Sequence, residues 1–130
     1  MHSEHEEAMR ADFSDRAAIS LNALAPRVSG EQVEEIGRRV AEYDQRWQSG
    51  PHAQEWAFLH AAYNDWRDFP EDMRVFVEDL RTNPTVYAEY GPSEVQMRSL
   101  DQAHNIAREE RCVMQALKPS MQREPIRRDR

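Results

Sequence analysis

The sequence is poor in the residues that support disulfide cross-links, and it lacks the apolar runs that span membranes. Its single cysteine, Cys112, excludes a disulfide within the chain and is typical of proteins from a reducing cytosol. No apolar run approaches the length of a membrane span. The first ten residues, MHSEHEEAMR, are too polar and acidic for a secretory signal. We therefore expect a cytoplasmic protein that makes no contact with a membrane.

Glycine-rich loops and metal-binding motifs are also missing. The four glycines lie far apart, and neither GxxxxGK[ST] nor GxGxxG is present, which argues against nucleotide binding. HExxH and CxxC are absent. His52 and Glu55 have the spacing of a di-iron ligand pair, but they stand in reverse order and have no second copy. The sequence therefore predicts neither a cofactor nor a metal site.

The candidate nucleophiles and bases are poorly placed for catalysis. Cys112 and His104 are eight residues apart in one predicted helix, roughly 12 Å along its axis, which is too far for direct contact. We expect Cys112 to be a buried or half-buried structural residue. The Glu-Asp pairs at 71–72 and 78–79 are explained as partners of a helix dipole and as solubilising groups. The sequence thus favours a non-catalytic protein. An enzyme whose site is assembled from residues distant in sequence is a second alternative.

The most informative stretch that is present is the aromatic segment 55–69, EWAFLHAAYNDWRDF, which holds five of the eleven aromatic residues. Trp56, Leu59, Tyr63 and Trp66 recur at steps of three and four and so share one face of a helix. Aromatic side chains bury the most apolar area per residue. We expect this face to form the centre of the core.

Proline and glycine divide the rest of the chain into amphipathic helical segments. The predicted helices are 4–24, one that follows Ser29, 55–69, one that begins at Pro70, and 93–117 with its end at Pro119. Residues 85–90 should form a short helix or a single turn. The fold class is thus all-α, a compact single-domain bundle of five to six helices over residues 1–118. Residues 119–130 should be a polar, flexible tail.

Several local signals mark where the helices begin and end, and which side chains face inward. Ser29 with Gln32 and Ser93 with Gln96 have the spacing of capping boxes. Ser3 can cap the first helix, and Gly91 can take the left-handed position that closes a helix. The predicted inward-facing residues outside the aromatic segment include Met9, Phe13, Leu21, Leu24, Met73, Phe76 and Leu80.

The charge of the chain is −7 and is unevenly distributed. Residues 1–80 carry 17 acidic and 8 basic side chains, whereas residues 81–130 carry 7 acidic and 9 basic ones. An acidic body repels phosphate backbones and is compatible with a basic protein partner. The one basic cluster is in the tail, at Arg123, Arg127, Arg128 and Arg130, where acidic residues dilute it. The sequence therefore argues against nucleic-acid binding.

The function that the sequence favours is stoichiometric binding to a protein partner, with modulation of that partner. The alternative is an acidic decoy that occupies the nucleic-acid groove of an enzyme, as inhibitors carried by phages or mobile elements do. For that role the spaced carboxylates of Glu31, Glu34, Glu35, Glu42 and Asp44 would mimic phosphates. Tyr87 and Tyr90 either close the edge of the bundle or form an exposed contact patch. An apolar face on the last helix could also pair two copies of the chain.

Overall fold

The fold is an all-α bundle, as predicted. The computed structural model describes the backbone of residues 1–128 and the side chains of residues 1–117. The five α-helices of the described chain are α1 (Ser3–Leu21), α2 (Gly30–Gln48), α3 (Ala53–Asp68), α4 (Pro70–Thr82) and α5 (Glu94–Arg128), and a short 3-10 helix (Asn22–Leu24) follows α1. None of the described helices has both the length and the apolar character needed to cross a bilayer.

The aromatic helix α3 forms the centre of the core, as its spacing predicts. Trp56, Leu59 and Trp66 are almost completely buried, and Tyr63 is half-buried. α3 packs most extensively along α5, and it also contacts α2 and α4. A helix surrounded in this way needs apolar residues over a wide arc, which explains why the segment is so rich in aromatic side chains.

Small and large side chains alternate where the other helices meet α3. Phe13 of α1 packs edge-to-face on Trp56, with their ring centroids 5.3 Å apart. On the opposite side, Ala62 of α3 and the two buried alanines Ala103 and Ala107 of α5 leave room for the bulky neighbours. The remaining buried core residues of the described chain are Met9, Ile19, Met73, Leu80, Leu100 and Ile106.

Both predicted capping boxes are confirmed. The Ser29 hydroxyl accepts a hydrogen bond from the Gln32 backbone N–H, and the Gln32 side chain accepts one from Ser29 N–H at 2.9 Å. Ser93 and Gln96 make the same reciprocal pair one residue before α5 begins. Each box satisfies two backbone donors that the first turn leaves without partners. The predicted Ser3 cap is wrong, because α1 begins at Ser3 itself and has no side-chain cap bond.

Two residues predicted to face the core are substantially exposed. Leu24 is 48% exposed, because α1 ends at Leu21 and the tighter 3-10 turn moves Leu24 away from the apolar stripe. Phe76 is 39% exposed, because α4 lies at the edge of the bundle and packs chiefly on α3. Periodicity identifies the apolar stripe of a helix, but it does not show how much of that stripe a neighbour covers.

Two predictions about backbone geometry also need correction. Gly91 does not adopt a positive φ. Glycine is nevertheless needed there, because a Cβ atom would lie 2.5 Å from the carbonyl oxygen of Tyr87. α5 does not end at Pro119 but continues to Arg128. Proline fixes φ near the helical value, so it costs a helix about 3 kcal/mol without excluding one. The side chains of the predicted tail lie outside those that the structure describes.

Candidate binding surfaces

A buried polar cluster joins α1, α2 and α3 around Asp44. The Asp44 carboxylate accepts two hydrogen bonds from Arg16, at 2.8 and 3.0 Å, and a third from the indole N–H of Trp56 at 3.1 Å. Both members of the ion pair are largely shielded from solvent. Asp44 therefore belongs to the interior face of α2 and is not one of the exposed carboxylates that a decoy surface needs.

A second carboxylate, Asp12 of α1, holds the end of α2 in the same manner. It accepts hydrogen bonds from the Trp47 indole N–H and from Arg46, both at 2.8 Å. The Trp47 ring stacks on Trp56, with centroids 5.8 Å apart and planes 10° from parallel. Each of the two tryptophans thus packs its ring against the core, while an aspartate accepts the hydrogen bond of its indole N–H. Sequence reasoning missed this cluster because its partners are 12 to 35 residues apart.

Glu6 ties the beginning of α1 to α5. Its carboxylate accepts hydrogen bonds from Arg98 at 2.6 Å and from Arg10 at 2.7 Å. These two guanidinium groups, Arg98 most strongly, lower the pKa of Glu6 to about 2 against the opposing effect of burial. Glu6 is therefore ionised throughout the neutral range and acts as a structural clamp.

The predicted row of carboxylates on α2 is exposed but interrupted. Glu31 and Glu34 are open to solvent, and neither makes an ion pair with the described side chains. Glu35 and Glu42 both bind the guanidinium of Arg38, which lies between them. A phosphate mimic needs spaced charges that a partner's basic groups can reach. Of the four carboxylates, Glu31 and Glu34 are the two that make no ion pair with the described side chains.

The α4–α5 loop, residues 83–92, separates the two candidate tyrosines. Tyr87 is half-buried, packs against the core and donates a hydrogen bond from its hydroxyl to Asp79. That bond raises the pKa of Tyr87. Tyr90 is 89% exposed, and nearby Val86 is 68% exposed. One tyrosine therefore closes the bundle edge, and the other is presented to solvent.

Hydrogen bonds give this loop a defined shape. The Gly91 N–H donates to the Tyr87 carbonyl at 2.8 Å, and the Val86 N–H donates to the Asn83 carbonyl at 3.2 Å. With the Tyr87 side chain bound to α4, the loop is held at its centre and at both ends. Residues 83–97 contain two carboxylates, Glu89 and Glu94, and no lysine or arginine. The exposed Tyr90 thus lies in a stretch of sequence whose only charged side chains are acidic.

The three residues that the enzyme alternative would centre on have different surroundings in the described structure. His60 is half-buried against Phe13, and burial, with a smaller effect of Arg16, lowers its pKa. His104 stacks on Trp66 with centroids 3.8 Å apart, and burial again lowers its pKa. Cys112 is exposed, contrary to the expectation of a buried thiol. None of the three lines the cleft between the end of α1, α3 and α5.

The described residues form no metal site either, since no three of their His, Cys, Asp or Glu side chains lie close enough to share an ion. The closest approach is that of His5 and His52, whose ring nitrogens are 3.1 Å apart and form a hydrogen bond between α1 and the start of α3.

Comparisons with protein-family models, curated proteins and solved structures find no match to this chain. Its surfaces are accordingly the basis for inferring what it does.

Proposed function

We propose that this protein acts without catalysis, by stoichiometric binding to another protein through its α4–α5 loop. The observation that carries the proposal is the exposure of Tyr90, at 89%, together with Val86, on a loop whose backbone is hydrogen-bonded. Tyrosine is among the residues most enriched at the energetic centres of protein interfaces. With 89% of its side chain in solvent, the ring contributes little to the packing of the free protein and is available to a partner.

The geometry of the loop reduces the entropic cost of binding. A partner that docks on a flexible loop must order it, at a cost of roughly 0.5–1.5 kcal/mol for each side chain immobilised. Here the Tyr87–Asp79 bond and the close Gly91–Tyr87 contact hold the loop before binding. Little of the binding free energy contributed by the Tyr90 ring is therefore lost to ordering the loop backbone.

The partner should present a basic surface around an apolar socket. Glu89 and Glu94 flank Tyr90, no basic side chain occurs in residues 83–97, and the whole chain carries a charge of −7. Complementary charge accelerates encounter and weakens as salt screens it. The single cysteine supports a cytoplasmic setting for this complex.

Affinity capture from lysate of the native host, at low and high salt, tests the proposal. The double variant Tyr90→Ser/Val86→Ser should recover at least ten times less of the captured protein than the wild type. Val75→Ser is a matched control, because Val75 of α4 is 67% exposed and Val86 is 68% exposed. Equal recovery with the double variant, or recovery of small metabolites alone, would contradict the proposal.

The decoy inhibitor is the second candidate, and the observation that favours it is the exposure of Glu31 and Glu34 on α2. We rank it below loop binding because Arg38 occupies both Glu35 and Glu42. Charge reversal at Glu34 and Glu35 would weaken a decoy complex far more than reversal at Arg123 and Arg127. The same reversals would leave binding through Tyr90 nearly unchanged, so the two candidates are distinguished.

A further inference from the structure

A cleft of about 450 Å³ opens where the end of α1, the second half of α3 and residues 107–114 of α5 meet. This volume is within the range of small-molecule sites in proteins. The cleft is separate from the α4–α5 loop, since no residue of that loop lines it. Its lining residues are Ser20, Leu21, Leu24, Tyr63, Arg67, Ala107, Glu110, Arg111 and Met114.

The apolar part of the cleft is incompletely covered. Leu24, after α1, is 48% exposed and Met114, on α5, is 50% exposed, although both belong to the lining of the same concave surface. Leu21 and Ala107 complete the apolar lining. Large apolar side chains left half in water around a cavity are typical of sites that a ligand covers.

The acidic group of the cleft is already bound. The Tyr63 hydroxyl donates a hydrogen bond to the Glu110 carboxylate. Burial of Tyr63, reinforced by that bond, raises the pKa of its hydroxyl to about 12, so the hydroxyl keeps its proton at neutral pH. Glu110 is thus held on α5 as the acceptor of an interaction with α3.

The two basic groups of the cleft retain donors for a ligand. Arg111 donates one N–H to the Trp66 carbonyl at 3.1 Å, and this is its only hydrogen bond to the described residues. Arg67 lies over the Tyr63 ring, 5.5 Å from its centroid, and pairs with its exposed neighbour Asp68. An exposed pair of this kind is weak, so a ligand can compete with it. The lining therefore has two cations and one occupied carboxylate in a protein that is acidic overall.

From this combination we infer that the cleft is a binding site for a small amphiphilic carboxylate, a molecule with an aliphatic body and one acidic head group. The aliphatic body lies against Leu21, Leu24, Ala107 and Met114. The head group accepts hydrogen bonds from Arg67 and Arg111, whose planar donor sets match a carboxylate. The inference does not depend on loop binding, and either can fail without the other.

Titration of the full chain with decanoate, below its micellar concentration, tests this site by calorimetry and by the methyl spectra of leucine and methionine. Decanoate should shift the methyl signals of Leu24 and Met114. Decanol and decyltrimethylammonium, which have the same chain, should bind at least ten times more weakly. Methyl shifts elsewhere, no binding, or equal affinity for the three compounds would overturn the inference.

Substitutions separate the head-group contact from a fold defect. Arg67→Gln should weaken decanoate binding about fivefold, and Arg111→Gln should weaken it at least as much. Arg74→Gln is the matched control, because Arg74 is an exposed arginine of α4 that pairs with Glu71 and lies outside the cleft, so its removal should change nothing. An unchanged affinity in Arg67→Gln, whose side chain is exposed, would contradict the assigned head-group position. A sedimenting mass of two chains with Leu24 and Met114 at the contact would assign the cleft to a second copy and overturn the inference.

Discussion

The region where α1 and α2 pack around Trp56 of α3 differs sharply from the region where the end of α1, α3 and α5 form the cleft. In the first region, the indole N–H groups of Trp47 and Trp56 both donate to aspartates. On the side where α3 meets α5, the buried indole N–H of Trp66 has no acceptor among the described residues. There, too, Leu24 and Met114 remain about half exposed.

This difference shows where in the bundle the polar side chains hold helices together. Long-range ion pairs hold α2, which has no fully buried residue of its own, against α1 and α3. The helix is held by the bonds of Asp12 and Asp44 together with the partly buried rings of Tyr43 and Trp47. Around the cleft, α3 and α5 are joined by apolar contact and by the bonds of Tyr63 to Glu110 and of Arg111 to the Trp66 carbonyl. Long-range ion pairs are thus concentrated where α1 meets α2, and the ligand site that we infer lies apart from them.

The largest expected effect is in the first region. Asp44→Ala removes the acceptor of Arg16 and of the Trp56 indole and leaves both donors largely buried. We expect a loss of about 3 kcal/mol in the free energy of unfolding, measured by urea denaturation. Glu42→Ala, which breaks an exposed pair with Arg38, should cost less than about 0.5 kcal/mol. Similar losses of unfolding free energy in the two variants would show that the Asp44 cluster is no more important for stability than an exposed ion pair.

Glu6 should make stability depend on pH in the acid range. Its pKa is about 2 in the folded chain and 4.5 ordinarily, so the unfolded chain binds more protons between these values. The free energy of unfolding should therefore rise with pH from about 2 to 4.5, by roughly 2 kcal/mol once solvent screening at the half-exposed Arg98 is allowed for. Urea midpoints across this range measure the effect, and Glu6→Gln should flatten it. An equally steep profile in that variant would assign the acid sensitivity to other groups.

The two buried tryptophans of α3 permit a smaller and more selective test. Trp56→Phe and Trp66→Phe remove the same atoms from one helix, but only Trp56 loses a hydrogen bond to Asp44. Trp56→Phe should cost about 1 kcal/mol more than Trp66→Phe in the free energy of unfolding. A larger loss for Trp66 would show that its indole N–H has a partner in solution.

The smallest expected effect on stability is at the α4–α5 loop. Tyr90→Ser should change the free energy of unfolding by no more than about 0.5 kcal/mol, because 89% of the side chain is already in solvent. Tyr87→Phe, which removes the bond to Asp79, should lower the free energy of unfolding more than Tyr90→Ser does. Thermal unfolding of the two variants measures the contrast, and a large loss for Tyr90→Ser would give the ring a structural role.

Local signals in the sequence were sufficient for most of the fold. The spacing of Trp56, Leu59 and Trp66 predicts the buried face of α3, and the Ser29–Gln32 and Ser93–Gln96 pairs predict two helix starts. These features depend on residues within one or two helical turns of each other, so periodicity and capping chemistry are enough.

The candidate sites depend on contacts that no local pattern encodes. Asp44 has the sequence context of an exposed acid, and only the packing of α2 on α1 brings it to Arg16, 28 residues away. The cleft brings together Leu24, Tyr63 and Met114 from three separate elements. For Tyr87 and Tyr90 the sequence left two interpretations open. The structure packs Tyr87 against the bundle and exposes Tyr90, and a contact role for Tyr90 stays a prediction.

Site-specific photo-cross-linking in the native host tests most directly whether the loop is where the protein meets its partner. A benzophenone amino acid at position 90 should capture one basic protein, and the product should diminish at high salt. The same group at position 75, which is 67% exposed on α4, should capture none of it. Identical products at the two positions, or no product at position 90, would contradict the central claim that Tyr90 is the anchor of a protein interface.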